Sequence, residues 1–260
     1  MRQVFPVTAD PVDPNCVYSD VPLANGRPGV RLNMIASVDG ATSVNGVSGT
    51  LGGPADHAVF VAMRAAADAV LVAAGTVRAE GYGPAELPAE AQSCRRRRGQ
   101  LPVPAIAVVS RGCNLDWQSP FFTAAAARPV IVTVADAPVD RRARATEVAD
   151  VVVAGERDVD LRRALTALDE RGARAVLAEG GPSLNAQLAG AGLLDELCLT
   201  LSPSIVGGDA SRIVTGPALH PAAPLELRSV CEDDGYLFLR YRSLKPRACN
   251  APAPDVTEKP

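Results

Sequence analysis

The chain has 260 residues, 47% of them hydrophobic, which is enough to bury a substantial core as one large α/β domain or two small ones; a single domain is the preferred expectation. Its formal net charge of −3 excludes the basic excess that draws proteins to nucleic acid or anionic membranes. The cysteines at 16, 94, 113, 198, 231 and 249 form no close pair and have no histidine cluster beside them, so no metal site is expected. The start of the chain does not read as a signal peptide, and no apolar run approaches the ~18–20 residues that cross a bilayer, so a cytoplasmic protein with reduced thiols is expected.

Residues 1–28 are rich in Pro, Asp and Asn and read as an irregular leader, mobile at its terminus. A single domain over 29–244 follows. Val30–Ala36 reads as a central strand, Ala55–Ala67 carries apolar residues at helical spacing, and Ala69–Ala74 is a second strand. Pro84–Gln100 lacks periodicity and reads as a long surface loop, with Arg95-Arg96-Arg97-Arg98 as a solvated charge run unaccompanied by aromatic residues. Val103–Val109, Val130–Val134 and Val151–Val153 continue the sheet, Leu161–Arg171 is a helix, and Arg174–Ala178 is another strand. Strands alternating with helices require right-handed crossovers, hence a mostly parallel sheet flanked by helices. After a helical stretch at Leu184–Ala191, the strands Leu194–Leu201, Leu225–Cys231 and Tyr236–Tyr241 come without helices between them. Asp233-Asp234-Gly235 marks a tight turn, so a C-terminal antiparallel hairpin is expected to close the sheet. The Pro- and Ala-rich residues 245–260 are expected to be disordered.

Two glycine-bearing turns carry the first functional signal, Gly75-Thr76 within LVAAGTVRAE (71–80) and Gly180-Gly181 within AVLAEGGPSL (175–184). Each follows a buried strand. The second opens a helix with proline in its first turn. Unpaired N–H groups at the positive end of a helix dipole make a seat for phosphate, and two such seats in one domain suit a dinucleotide, with Glu80 and Glu179 nearby for hydroxyls or substrate. The tight glycine triplet of the doubly wound dinucleotide fold is absent. After the first strand comes instead a small-residue loop, SVDG (37–40) and NGVSGTLGG (45–53), which either is a plain connection or lets backbone approach a flat ring closely.

Taken in order, Asn33–Gly40, Ser48-Gly49, Arg64, AGTVRAE (74–80), EGGPSL (179–184), Asp195-Glu196-Leu197 through Pro203, and Val206-Gly207-Gly208 resemble the pyrimidine reductase domain of riboflavin biosynthesis, over about Gly29 to Tyr241. The resemblance implies a single α/β domain with a fold similar to dihydrofolate reductase, NADPH as cofactor, and a homodimer formed near Leu194–Leu201 and Pro203–Gly208, where the Leu194–Leu201 strand is expected to be an exposed sheet edge that invites pairing. It places the cofactor on Ile35, Thr50, Gly75, Thr76 and Glu80 and on the backbone of Gly180, Gly181, Pro182, Ser183 and Leu184. A phosphorylated aminopyrimidine would lie on Asn33, Ser48, Arg64 and Glu179, with the Arg64 guanidinium suited to the phosphate. Glu179 and Asp39 are the catalytic candidates, Glu179 fixing the pyrimidine and Asp39, or water, protonating the ring-opening oxygen. Each residue has a plainer reading: Arg64 as a snorkelling side chain, Glu179 as a helix-end charge, Asp39 as a partner of its own turn.

The implied reaction converts the ribosylamino group of 5-amino-6-(5-phosphoribosylamino)uracil to the ribitylamino form. Asn33 stands where deaminase-fused members carry lysine, which offers a charge where asparagine offers a neutral amide, and no zinc-deaminase pattern is present. Reduction of dihydrofolate or another pterin is therefore an alternative. A non-catalytic NADP(H)-binding protein is a second.

Overall fold

The N-terminal segment is ordered where its composition predicted an irregular leader. Strand β1 (Arg2–Phe5) pairs antiparallel with β9 (Leu225–Asp233), and a single helical turn α1 (Pro14–Val17) is capped by Asp13, whose side chain accepts from the Asn15 N–H at 2.8 Å. Tyr18 follows and is fully buried, so one aromatic ring anchors a segment whose remaining residues are mostly polar or small. The computed structural model describes residues 1–244; the tail expected to be disordered, 245–260, lies outside the described residues.

From β2 (Gly29–Ser37) onward the predicted strands are found, with more helices between them than the periodicity predicted. Helix α2 (Pro54–Ala66) leads to β3 (Ala69–Ala73), which runs directly into α3 (Ala74–Ala79). The arginine-rich stretch is helical, α4 (Ala89–Arg97), and not a loop. Strand β4 (Ala105–Val109), helix α5 (Pro120–Thr123), β5 (Val130–Thr133), α6 (Val139–Val148), β6 (Asp150–Val153), α7 (Leu161–Asp169), β7 (Ala175–Ala178) and α8 (Pro182–Gly190) follow. Then come β8 (Glu196–Ser202), β9 and β10 (Tyr236–Ser243). The ten strands form one sheet in the order β1-β9-β10-β8-β2-β7-β3-β4-β5-β6. All neighbours from β8 to β6 are parallel, and β10, β9 and β1 add antiparallel pairs. The β9–β10 hairpin turns on Asp234 and Gly235, both at positive φ, as a two-residue hairpin connection requires.

The side-chain period of two divides the core. Val70, Val72, Ile106, Val108 and Ile131 face α2 and the aromatic pair Phe121 and Phe122, whereas Leu71, Ala107, Val132 and Val176 face α7 and α8. Helix α7 buries Leu161, Ala164, Leu165 and Leu168, the i, i+3, i+4, i+7 stripe of an amphipathic helix, and Asp160 caps it by accepting from the N–H groups of Arg162 and Arg163. Each fully buried leucine stabilises this layer by about 1.5–3 kcal/mol relative to exposure.

Two expectations are corrected here. Strand β8 is no free edge, because β2 and β10 pair with it on both sides. Arg95 is not solvated but wholly buried: its Nε donates to the Leu101 carbonyl at 2.8 Å and its Nη1 to the carbonyls of Arg64, Ala65 and Ala67. Burial lowers its pKa to about 10. With Arg98, which donates to the Ala65 carbonyl at 2.7 Å, it closes the C-terminus of α2, where helix carbonyls have no partner of their own. A charge run gives no sequence signal for this, since the composition of a capping arginine and of a solvated one is the same.

Candidate active site

The carboxyl ends of β2, β7 and β3, adjacent in the sheet, open onto a cavity of about 580 Å³. Asn33, Met34 and Ile35 come from β2, Thr76 from α3, Glu179 and Gly181 from the turn after β7, and Ser48 from the small-residue loop; Asp56, His57 and Phe60 of α2 and Tyr82 also line it. The two glycine turns predicted to act together are brought together. The Ala73 N–H donates to the Gly180 carbonyl at 2.7 Å, the Glu179 N–H donates to the Leu71 carbonyl at 2.9 Å, and Gly180 has φ +88, which a side chain would disfavour. A Cβ at Gly181 would lie 2.7 Å from the Thr76 hydroxyl oxygen, so only glycine lets the start of α8 reach α3. The Gly180–Gly181 peptide is cis. Beyond it the N–H groups of the first turn of α8 have no acceptor within the helix. This is a cradle that fits a phosphate or pyrophosphate, and it stands beside an apolar wall of Met34 and Ile35 that suits a flat ring.

Glu179 is the electrostatic centre. Its carboxylate is 8% exposed and accepts from Arg64 through Nε and Nη2, both at 2.8 Å, and from the Tyr82 hydroxyl at 2.8 Å. The bidentate pair fixes both planes. Burial alone would lower the Arg64 pKa, but the Glu179 charge and hydrogen bonds outweigh it and the net shift is upward, so the guanidinium stays charged. Burial, and then the Glu179 charge, push Tyr82 well above the ordinary phenol value, which keeps it a donor. Arg64 also lies 4.2 Å from the centroid of Phe60, one helical turn earlier on α2. A side chamber of about 310 Å³ touches Arg64, Ser48, Thr76, Glu80 and Tyr82.

Asn33, Ile35, Ser48, Gly75, Thr76, Glu80, Glu179, Gly181 and Pro182 all line the main cavity, and Arg64 reaches it through the side chamber. Glu80 has a structural task there, accepting from the Ser48 N–H at 2.9 Å and so tying the small-residue loop to α3. Thr50 is exposed and off the cavity wall. Gly180 is buried behind Gly181; Leu184 points into the core, 3% exposed, and Ser183 faces a separate hollow of about 990 Å³ between α7, α8 and residues 215–223, so from these two only backbone N–H groups remain for a cofactor.

Asp39, expected to supply a proton, is turned to another use. It sits outside the cavity, and its carboxylate accepts from the Ser37 hydroxyl at 2.5 Å and from the N–H groups of Val206 and Gly207 at 3.1 and 2.7 Å. These bonds, the Ser37 hydroxyl first, lower its pKa to about 2. A carboxylate so held is a loop anchor. Tyr82 and Asp56 line the cavity and had no part in the sequence-based site. Tyr82 lies between Gly81 and Gly83 two positions after Glu80, a signal available in hindsight; Asp56 opens α2 and needed the cavity to be seen. Among the described residues no cluster suited to a metal ion occurs, and no helix is long and apolar enough to cross a membrane.

The family model described as the RibD C-terminal domain matches residues 28–238. A 2,5-diamino-6-ribosylamino-4(3H)-pyrimidinone 5′-phosphate reductase of Archaeoglobus fulgidus is 30% identical over 189 residues, covering 72% of this chain and 86% of the relative. Among solved structures, a pyrimidine reductase-like protein from Corynebacterium diphtheriae superposes with a TM-score of 0.80 at 28% identity, over 90% of this chain and 99% of that one. The riboflavin biosynthesis reductase of Saccharomyces cerevisiae, at 18% identity, a TM-score of 0.63 and coverage of 89% and 95%, shares the fold. The glycine turn, the glutamate and the arginine of this chain converge on one cavity at the carboxyl edge of the sheet, and the chain belongs to the family of the RibD C-terminal domain.

Proposed function

We propose that the protein is an NADPH-dependent reductase that converts the ribosylamino group of a phosphorylated aminopyrimidine to the ribitylamino form. The observation that carries this reading is the Arg64–Glu179–Tyr82 cluster set between the Gly180-Gly181 turn and the small-residue loop, which together make one phosphate seat, one flat-ring wall and one oriented carboxylate in a single cavity. The backbone of Gly181 to Leu184 and the side chain of Thr76 hold the cofactor phosphates, and Met34 and Ile35 form the wall for its nicotinamide. When bound, that cofactor supplies the hydride. Glu179, locked by Arg64 and Tyr82, presents a fixed acceptor to the amino groups of the pyrimidine, with Asn33 adding an amide that both donates and accepts. The 5-phosphate fits the side chamber, where Nη1 of Arg64 is left over from the pair with Glu179 and Ser48 lies alongside.

The Archaeoglobus fulgidus relative is named for the 2,5-diamino pyrimidinone, and the uracil form differs at ring position 2, where a carbonyl replaces the amino group. An acceptor carboxylate favours the amino form. Incubating the purified protein with NADPH and each aminopyrimidine, and following loss of the reduced-nicotinamide absorbance, tests the proposal; a folded, NADPH-binding protein that oxidises no cofactor with either compound defeats it. One observation favours a second reading, reduction of dihydrofolate or another pterin: Asn33 brings a neutral amide, and no charge, to the cavity wall. A larger kcat/KM for dihydrofolate than for the aminopyrimidines in one preparation would reverse the order.

A homodimer belongs to the same proposal, and its support is a surface patch in place of a free β8 edge. Ile205 and Val38, 82% and 67% exposed, lie side by side where the Val38 N–H donates to the Ser204 carbonyl, an apolar surface on the segment Pro203–Gly208. A scattering mass of one chain at micromolar concentration would refute it.

A further inference from the structure

Reductive opening of a ribosylamine needs a proton as well as a hydride. The C1′–O4′ bond breaks, C1′ gains the hydride and its electron pair while the dihydronicotinamide is oxidised, and O4′ leaves as an alkoxide that becomes the new hydroxyl only on taking up one proton. Resting on the reductase reading, we propose that Asp56 is the catalytic residue that delivers this proton to O4′ and is recharged from solvent through the mouth of the cavity.

Availability singles out this residue. Among the described residues three carboxyl groups line the cavity, Asp56, Glu80 and Glu179. Glu179 accepts from a bidentate guanidinium and a phenol, and Glu80 accepts from the N–H of Ser48 through Oε1, so each is held as an acceptor by a donor of the chain. Asp56 is different. It lies in the first turn of α2, its Oδ2 packed so close over Gly52 that a Cβ there would come within 2.7 Å, and the Thr200 hydroxyl on β8 is the polar neighbour beside it. Thr200 pairs with Ile35 on β2, so the carboxyl stands over the strand ends that carry Asn33 and Ile35. No arginine salt bridge holds it among the described residues. Burial raises its pKa, against the smaller opposing effects of Thr200 and His57, and this favours the acid form that a donor must have. The other titratable groups around it are His57 on its own helix, Glu80 and Tyr82 on the segment after β3, Glu179 with its partner Arg64, and Tyr236 of β10, whose hydroxyl packs on Gly53. Tyr82 is locked on Glu179, and Arg64 is charged and paired, which leaves Asp56 as the carboxyl that exchanges a proton.

The test compares wild type with Asp56→Asn, nearly isosteric, and Asp56→Glu, which keeps the acid. The asparagine variant is expected to lose about 10²-fold in kcat, with KM and NADPH affinity changed only a few-fold, and to lose the fall of kcat at high pH that reports the donor's deprotonation; the glutamate variant recovers part of the rate and that limb. A second readout needs no turnover. A carboxyl whose folded pKa lies above its unfolded one removes stability as pH rises between the two values, so the urea midpoint of Asp56→Asn relative to wild type should climb as pH rises above the ordinary aspartate value of about 4. If wild type turns over and Asp56→Asn matches it with the same high-pH limb, the inference falls while the reductase reading stands. If wild type reduces no aminopyrimidine, both fall together.

Discussion

Two buried arginine–glutamate clusters stand at opposite ends of the parallel strands, and they do opposite things. At the amino ends, Glu196 of β8 accepts from Arg31 of β2 through Oε2 and from Arg240 of β10 through Oε1, and all three nitrogens of both guanidinium groups are engaged, the remainder by the carbonyls of Val17, Tyr18 and Asp20 and the Asp20 carboxylate. The cluster thereby sews residues 17–20 to the sheet. At the carboxyl ends, Glu179 takes two nitrogens of Arg64, and the third, Nη1, is left over. The difference lies in saturation: a cluster whose donors are all used by its own chain fixes the fold, and one with a donor to spare beside a cavity is free to hold a ligand.

The largest expected effect tests the saturated cluster. Glu196→Gln leaves two guanidinium groups buried without their shared carboxylate, and a loss of about 3–5 kcal/mol in the urea unfolding free energy is expected. Burial opposes the charge of Arg240, and the Glu196 carboxylate, the principal counterweight, turns the net shift of its pKa upward. NADPH binding by whatever fraction remains folded should be unchanged, because the cluster touches no wall of the cavity; weaker binding by the folded fraction would show that the two ends are coupled.

Arg64→Lys tests the other cluster. A lysine keeps the charge and gives up the two-pronged bond, so Glu179 loses its fixed plane and the side chamber its spare donor. A fall of about 10²-fold in kcat/KM with the aminopyrimidine is expected, with a much smaller loss of stability. Equal activity in the lysine variant would mean that charge alone suffices and that the geometry of the pair is incidental. Tyr82→Phe is milder. It removes one of three bonds to the carboxylate at constant shape, for an expected loss of about 1–2 kcal/mol in transition-state stabilisation, read as a roughly tenfold lower kcat/KM.

The same contrast explains what was legible in the sequence. The parallel strands and the helices that cover them were readable because their apolar residues recur at the period of the element they form, as in Leu161, Ala164, Leu165 and Leu168 of α7. The glycine turns were readable because so few residues can stand at a positive φ or against Thr76. Strand β1 and helix α4 were not, since β1 is an edge strand of mixed polarity held by its partner β9, and α4 is polar almost throughout, with its one buried arginine, Arg95, paired with the carbonyls of Arg64, Ala65 and Ala67 far away in sequence. Within the site, Arg64 and Glu179 were found as separate contacts of a substrate. That they bind each other is a relation between residues 115 apart, and no local pattern encodes it.

The smallest expected effect concerns Asp39, which lies outside both clusters. Its folded pKa of about 2 is below the ordinary carboxylate value, so the stability it contributes is present above its unfolded pKa and is lost as pH falls from about 4 through about 2. Its partners are the N–H groups of Val206 and Gly207, and what fails on protonation is the hold of the β2 end on the segment carrying Ile205. Asp39→Asn should therefore leave kcat near neutral pH almost unchanged, flatten the acid limb of the stability profile relative to wild type, and speed amide exchange at Val206 and Gly207. A large loss of kcat in this variant, with folding intact, would return Asp39 to the reaction and remove the ground on which Asp56 is preferred, because the two carboxyl groups would then compete for the same proton.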